Sequence, residues 1–426
     1  MRLSKVDAYF WCLVVFMLQP FFELIVPFFK YYDEAIVLIF FIYSVFKSKG
    51  KISMMSVRVL GLSALLIPIG LVGNLFSQSG QLSSMILQDI VSNLKFPLFA
   101  VAINKRSLTE YEKEYLSGRL HAFLRMLFAF MAVTAVLSQI VNIGMSSKMR
   151  YGISAYHFIF RNPAVLNTYC YLYIIAYIIT LKEHGTIRKN AHLFAILGVI
   201  PWVLTLRSRA FSFAAIFAFL YWRMIGSGKS REGRKFHWFY VLVALAGAVL
   251  ISWDAIVKYF LDNNRSARFQ LLKNSFELAR EYFPVGSGFA TFGTEASRAH
   301  YSSIYYRYGM NLIYGLSPAY PSFVTDQYWF GILGQFGASG ILCVGFIIWS
   351  IYKKAWVISK QDPCNRLAVY MLFMTSLFAS ITAGTFIQAS ILPSLLVIYL
   401  FGQENPASLP DRRALYGGGY RNWKRK

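Results

Sequence analysis

The sequence predicts an all-α, polytopic membrane protein with about twelve transmembrane helices, and three observations predict it. First, 57% of the 426 residues are hydrophobic and 15% are charged, whereas soluble domains run at about 45–50% apolar and about 25% charged. Second, Leu, Ile, Phe, Ala and Val recur in blocks of roughly 16–22 residues, the length that crosses a hydrocarbon core of about 30 Å. Third, each block inside such a core must satisfy its own backbone polar groups, which a helix does. The short alternating segments of a β-barrel are missing from the pattern.

The blocks place spans at roughly 8–29, 31–46, 57–76, 86–103, 122–143, 165–181, 191–206, 210–225, 238–253, 329–351, 367–383 and 387–402. The first follows a Met1-Arg-Leu-Ser-Lys5 start that resembles a signal peptide. It is longer than an ordinary signal core and lacks a small-residue cleavage site, so it reads as a retained helix. Most of the 43 Lys and Arg fall in loops on one side, which places both termini in the cytoplasm. Lys47, Lys49 and Lys51 mark that side; the uncharged Ser77–Ser84 turn marks the other.

The chain then divides into helices 1–9 over 1–253, a large periplasmic loop over 254–328, helices 10–12 over 329–402, and a basic tail over 403–426. The tail carries Gly417-Gly-Gly419 and reads as a disordered cytoplasmic end near anionic lipid headgroups. The net charge of +24 is spread among loops, so no nucleic-acid-binding domain is implied. Of the four cysteines, Cys12, Cys170 and Cys343 sit in apolar blocks and Cys364 in a basic loop. That distribution implies no disulfide framework.

Chemistry is concentrated on the outer side. Ser266–Phe283 has helical periodicity, with Phe269, Leu272, Phe276, Ala279 and Phe283 on one stripe. Arg265 and Arg268 lie at its N-terminal end, where guanidinium groups and the helix dipole together suit an anion such as phosphate. The same arginines can equally solvate an amphipathic helix lying on the membrane. Arg207-Ser208-Arg209 forms a short outer hairpin, its charges either partnered or snorkelling to headgroups. Asp326 stands at the mouth of the tenth span, as a helix N-cap or as a catalytic carboxylate. Gln327 follows it, and Gly334, Gly337 and Gly340 allow close approach by a neighbour.

Pro284-Val-Gly286-Ser-Gly288-Phe and Phe292-Gly293 indicate tight turns or close backbone contact. Glu23, Asp89, Asn93 and Lys95 are polar residues inside spans, where a partner in the bundle is expected. Asp89 and Lys95 do not share a helix face and are expected to pair elsewhere. His157 and His300 have no metal-ligand spacing, and no metal or cofactor is expected.

Taken in order, Arg207-Ser-Arg-Ala-Phe, Arg268 with its helix, Pro284-Val-Gly-Ser-Gly-Phe, Asp326-Gln and Gly337-Ala-Ser-Gly340 resemble the superfamily of O-antigen ligases and Wzy-type polysaccharide polymerases. Phe160-Arg-Asn-Pro163, opening the sixth span, is similar to a further segment of that superfamily. The ligase signature has a His and an Asn, Ser or Gln, nine residues, then a paired glycine pattern. Here Gln327, nine residues, Gly337 and Gly340 keep the register, and Asp326 replaces the histidine. The replacement favours a polymerase over a ligase to a lipid A core.

The resemblance implies a GT-C-like bacterial inner-membrane glycosyltransferase, independent of metal. It implies transfer, with inversion, of a glycan from undecaprenyl diphosphate to a lipid-linked repeat unit on the periplasmic face. The polymer is then O-antigen, capsule or exopolysaccharide, and a chain-length regulator is a possible partner. Arg207, Arg209, Arg265 and Arg268 become candidates for the diphosphate, with Arg268 and Asp326 as the catalytic pair. Gln327, Tyr301 and Tyr305 become candidates for the acceptor sugar, with Tyr306, Tyr314 and Tyr320 as further aromatics. A transporter or flippase for a lipid-linked sugar is the alternative of a different class, and Glu23 between Pro20 and Pro27 is its one supporting feature.

Overall fold

The computed structural model describes residues 5–48, 52–104, 108–183, 186–226 and 266–402, with scattered positions between 246 and 257. Most of the predicted ninth span lies outside these residues, and Arg265 and the basic tail lie outside them entirely.

The described chain is mostly helical. Its first eight α-helices are α1 (Lys5–Ile25), α2 (Tyr32–Ser48), α3 (Met54–Ser77), α4 (Ser83–Ile103), α5 (Glu110–Ile140), α6 (Pro163–Ile179), α7 (Ala191–Val203) and α8 (Ser208–Tyr221). Then follow α9 (Ala267–Glu281), the short α10 (Glu295–Ala299) and α11 (Ser303–Arg307), α12 (Tyr328–Ser359), α13 (Pro363–Ser380) and α14 (Ile391–Phe401). The purely helical expectation needs a small correction. Hairpins pair β1 (Ser146–Arg150) with β2 (Ile153–Tyr156), and β3 (Lys182–Glu183) with β4 (Thr186–Ile187).

Five helices, α1, α3, α4, α5 and α12, are long and apolar enough to cross a membrane. Helices α6, α7 and α14 are apolar but shorter. On α3, Leu65, Leu75 and Phe76 are exposed, and on α5, Met126, Phe130 and Ile140 are too. An exposed apolar surface of this extent is what contact with lipid requires.

The centre of the bundle is α6. Its residues from Tyr169 to Ile179 are all buried, the property of a helix with neighbours on every side. Asn162 caps it, its side-chain oxygen accepting from the N–H groups of Ala164 at 2.9 Å and Val165 at 3.1 Å. Pro163 occupies the first turn, where a missing N–H costs nothing. The Phe160–Pro163 segment thus has a local structural explanation. Inside the bundle, Trp202 donates to Asn167 at 2.8 Å, and Tyr173 donates to the Met17 carbonyl at 2.7 Å.

A second, smaller core is built from α9 and the segment that follows it. Leu271, Leu278, Phe292, Ile304, Tyr305 and Leu316 pack together, so the segment from 266 to 327 folds as a cap with its own interior. The face of α9 that packs on protein carries Ala267, Leu271, Asn274, Ser275 and Leu278. This corrects the stripe read from the sequence, because Phe276 and Phe283 are exposed. The stripe and the packed face lie side by side on one helix, and periodicity alone does not say which of them meets protein.

The cap is sewn into the bundle through irregular backbone. Helix α12 is interrupted at Gly337, whose φ of 58° and ψ of −155° no helix adopts. Near this break, the Gly334 and Gln335 carbonyls accept from the N–H groups of Ser287 at 2.9 Å and Gly288 at 2.7 Å. Asn74 of α3 donates to the Phe289 carbonyl and accepts from the Phe289 N–H, both at 2.8 Å. Non-helical backbone packed inside the protein is sustainable because protein groups satisfy its N–H and C=O groups. A Cβ on Gly73 would come within 2.6 Å of the Gly288 nitrogen, and one on Gly337 within 2.4 Å of the Pro284 carbonyl oxygen. The approach expected of the α12 glycines therefore comes from the cap segment.

Candidate functional site

Three separate stretches of sequence meet at the bundle end beneath the cap. The first turn of α8 supplies Arg207, at its N-cap position, and Arg209. The first turn of α9 supplies Arg268, after Ser266, whose hydroxyl accepts from the Phe269 N–H at 3.1 Å. The turn before α12 supplies Asp326, its N–H bonded to the Phe323 carbonyl at 3.1 Å.

At the centre, Arg268 Nη2 donates to Asp326 Oδ2 at 3.0 Å. The two side chains are 24% and 26% exposed, so the pair is reachable from outside yet shielded from bulk water. Arg209 lies within electrostatic reach of Arg268, Asp326 and Arg207. The N-cap of α12 is Gln327, without a side-chain capping bond. Asp326 therefore does not act as the helix cap, and its carboxylate is committed to Arg268.

Burial raises the Asp326 carboxyl above its ordinary value, opposed by Arg268, Arg209 and Arg207 in that order. A raised carboxyl is a stronger base than a solvated aspartate, and the three cations favour negative charge nearby. Such a site can hold an oxyanion on its arginines and take a proton on its carboxylate.

The remaining sequence candidates fall in different places. Gln327 is buried beside the pair. Tyr305 is fully buried, its hydroxyl accepting from the Gly293 N–H at 2.8 Å and lying 2.9 Å from Ser297 Oγ. Tyr301 is partly buried and donates to the Leu316 carbonyl at 2.6 Å. Tyr301 and Tyr305 hold the cap together, and Tyr305 has no open ring face for a sugar. Tyr314 and Tyr320 stack on each other, with centroids 5.1 Å apart, and are exposed. Arg265 lies outside the described residues.

The charges that the sequence placed inside spans find partners. Lys95 pairs with Asp33 and, at 2.9 Å, with Glu34. Asp89 accepts from the Ala290 N–H at 2.6 Å, from Gln335 at 2.6 Å and from Asn93 at 3.1 Å. It thus anchors the cap segment to α4. Sequence reasoning flagged Asp89 as a buried charge but missed its partner Gln335, and nothing in an apolar helix marks that glutamine in advance. Among the described residues, no three His, Cys, Asp or Glu side chains are grouped to hold a metal ion.

No family model, no curated protein and no solved structure matches the chain.

Proposed function

We propose that the protein is a polysaccharide polymerase. In this reading it transfers a glycan from undecaprenyl diphosphate to the end of a lipid-linked repeat unit, on the periplasmic face of a bacterial inner membrane. The observation that carries the reading is the Arg268–Asp326 pair at 3.0 Å, set among Arg207 and Arg209 where α8, α9 and α12 meet. The order of motifs in the sequence supports it further. About twelve spans, cytoplasmic termini and a periplasmic cap belong to the same proposal, as does a chain-length regulator as partner.

The chemistry follows from the residues. The acceptor hydroxyl oxygen attacks the anomeric carbon of the donor sugar, and its proton passes to Asp326. The bond from that carbon to the diphosphate oxygen breaks as the glycosidic bond forms, with inversion. The diphosphate leaves with its charge stabilised by the arginines. Arg268 is held by Asp326 in the structure described here, so an arriving diphosphate competes for it. Donor binding then draws Arg268 away and leaves the carboxylate free to accept a proton.

The test supplies lipid-linked repeat units to purified protein in lipid nanodiscs and resolves product lengths. A ladder of polymers is expected. Transfer to a lipid A core with no ladder would favour a ligase. The reading of a different class, a transporter for a lipid-linked sugar, draws on the network around Lys95. There Gln19 donates to Glu23 at 3.1 Å and to Asp33 at 3.4 Å. Deletion separates the two classes, since loss of a polymerase leaves single repeat units on the cell surface and loss of a flippase leaves none.

A further inference from the structure

Gln327, next to Asp326 in the chain, lines a narrow cleft of about 10 Å³, room for one water-sized group. Its walls come from α4 through Asn93, from the cap through Gly293 and Thr294, from the start of α12 and α12 itself through Gln327 and Gln335, and from Gly384. Gln327 is 1% exposed, and neither its amide oxygen nor its amide nitrogen meets a hydrogen-bond partner among the described residues. Gln335 is fully buried and donates to Asp89 at 2.6 Å, while its amide oxygen has no such partner. Three amide atoms along one cleft are thus buried without hydrogen-bond partners among the described residues.

Buried polar atoms are paired in the great majority of cases, and an unpaired one carries the full cost of its desolvation. Two glutamines in this condition on one wall call for a ligand that satisfies them. The wall defines that ligand chemically. A primary amide offers both a donor and an acceptor and carries no charge. Its complement is a neutral group that both donates and accepts, as a hydroxyl does. A phosphate would instead be drawn to the arginines. That volume admits a single hydroxyl rather than a ring or a larger substituent, and Gly293 and Gly331 bring their backbones together there. A Cβ on Gly293 would lie 2.8 Å from the Gly331 Cα.

We infer that this cleft is a specificity pocket, in which Gln327 reads one hydroxyl of the acceptor sugar while its neighbour Asp326 faces the reacting hydroxyl. The inference rests on the polymerase reading. Gln327 positions the acceptor and takes no part in the bond changes. A site built to bond a hydroxyl discriminates strongly against ligands that leave its polar groups unpaired.

Gln327→Met tests this in the full chain, because methionine has nearly the same length and no unpaired polar atoms. Three quantities are read: the melting temperature in nanodiscs, and KM and kcat for lipid-linked repeat units. The expected result is a melting temperature equal to or above wild type, with KM raised at least tenfold and kcat changed less. A fall of several degrees would show that the amide serves the fold, through an internal water or another partner. An unchanged KM would show that the acceptor does not use it. Either result overturns the pocket. Should wild type make no ladder, the polymerase reading fails, and the pocket is judged by heat alone. Glucose, galactose, rhamnose and N-acetylglucosamine at tens of millimolar are then tried for raising the melting temperature of wild type and not of Gln327→Met. No such selective rise from any of them overturns it.

Discussion

Asp326→Asn separates catalysis from stability at the proposed centre. The replacement keeps the size of the side chain and its capacity to accept from Arg268, and removes the charge. Two costs follow, of different size. The ion pair is partly exposed on both sides, so its loss removes about 1 kcal/mol of stability. Removing the charge offsets this loss, because burial costs the carboxylate more than its arginines return, as the upward direction of its pKa reflects. General-base catalysis is worth about 10²–10⁴-fold, or about 3–5 kcal/mol in the transition state. The catalytic cost therefore exceeds the folding cost severalfold. The α12 cap is untouched, since Gln327 occupies that position.

Stability and activity also respond differently to pH. The folded carboxyl binds its proton more tightly than the unfolded chain does. Its contribution to stability is present below the ordinary aspartate range and is lost as pH rises through the raised folded value. Activity needs the ionised form and so rises over that same interval. The assay resolves product lengths from lipid-linked repeat units at several pH values, beside a thermal melt of each protein. Wild type is expected to give a ladder with an acid limb above the usual aspartate value. The Asn variant should give single units at a normal melting temperature. A wild-type ladder from the Asn variant would remove Asp326 from the mechanism.

Four further outcomes are expected. Arg268→Ala takes away the leading electrostatic influence that lowers the Asp326 carboxyl, so residual activity should fall by about 10²–10³-fold, as for one oxyanion donor, and its acid limb should move to higher pH; Lys at 268 should restore little, since it lacks the planar fork. Gly73→Ala should lower the melting temperature and detach the cap, because the added methyl meets Gly288 backbone; limited proteolysis of the 283–294 segment reads this directly. Activity should persist in EDTA, and loss in EDTA reversed by a divalent ion would show a required metal. An impermeant maleimide should label Ala319→Cys but not Glu114→Cys in intact spheroplasts, both positions being exposed on the protein; the reverse pattern would invert the proposed topology.

Much of the helical layout was legible because hydrocarbon length and apolar runs are tied by simple geometry. The prediction for 31–46 meets α2 at Tyr32–Ser48, and that for 165–181 meets α6 at Pro163–Ile179. Helix α5 begins at Glu110, about a dozen residues before the predicted span. Its first turns are polar and are fixed by a capping box between Thr109 and Glu112, which a hydropathy window does not register. Asp326 and the arginines were visible as charges beside apolar runs. Their convergence was not, because Arg268 and Asp326 are 58 positions apart and meet only when the cap folds. Tyr305 was misleading for a related reason. Composition gives an aromatic, and only the folded cap reveals that its ring is enclosed and its hydroxyl engaged.

The interrupted α12 ties these features to one cause. An unbroken helix would have bonded the Gly334 and Gln335 carbonyls within itself, and the 284–290 segment would have had to satisfy its N–H groups elsewhere. Gly337 releases those carbonyls, and the cap uses them. The short helical piece before the break, 328–336, carries Gln335 at one end and follows Gln327 and Asp326 at the other. It is held through Gln335 and Asp89 to α4, and through the cap segment to Asn74 of α3. A site on a loop alone would drift, whereas one at the end of a piece clamped from two sides keeps its geometry. The same clamp brings Arg268 to Asp326, because α9 packs along α12. The glycines that break the helix and the charges that form the candidate site are thus parts of one construction, and loosening the Gly337 break should weaken the Arg268–Asp326 pairing from about ten residues away in sequence.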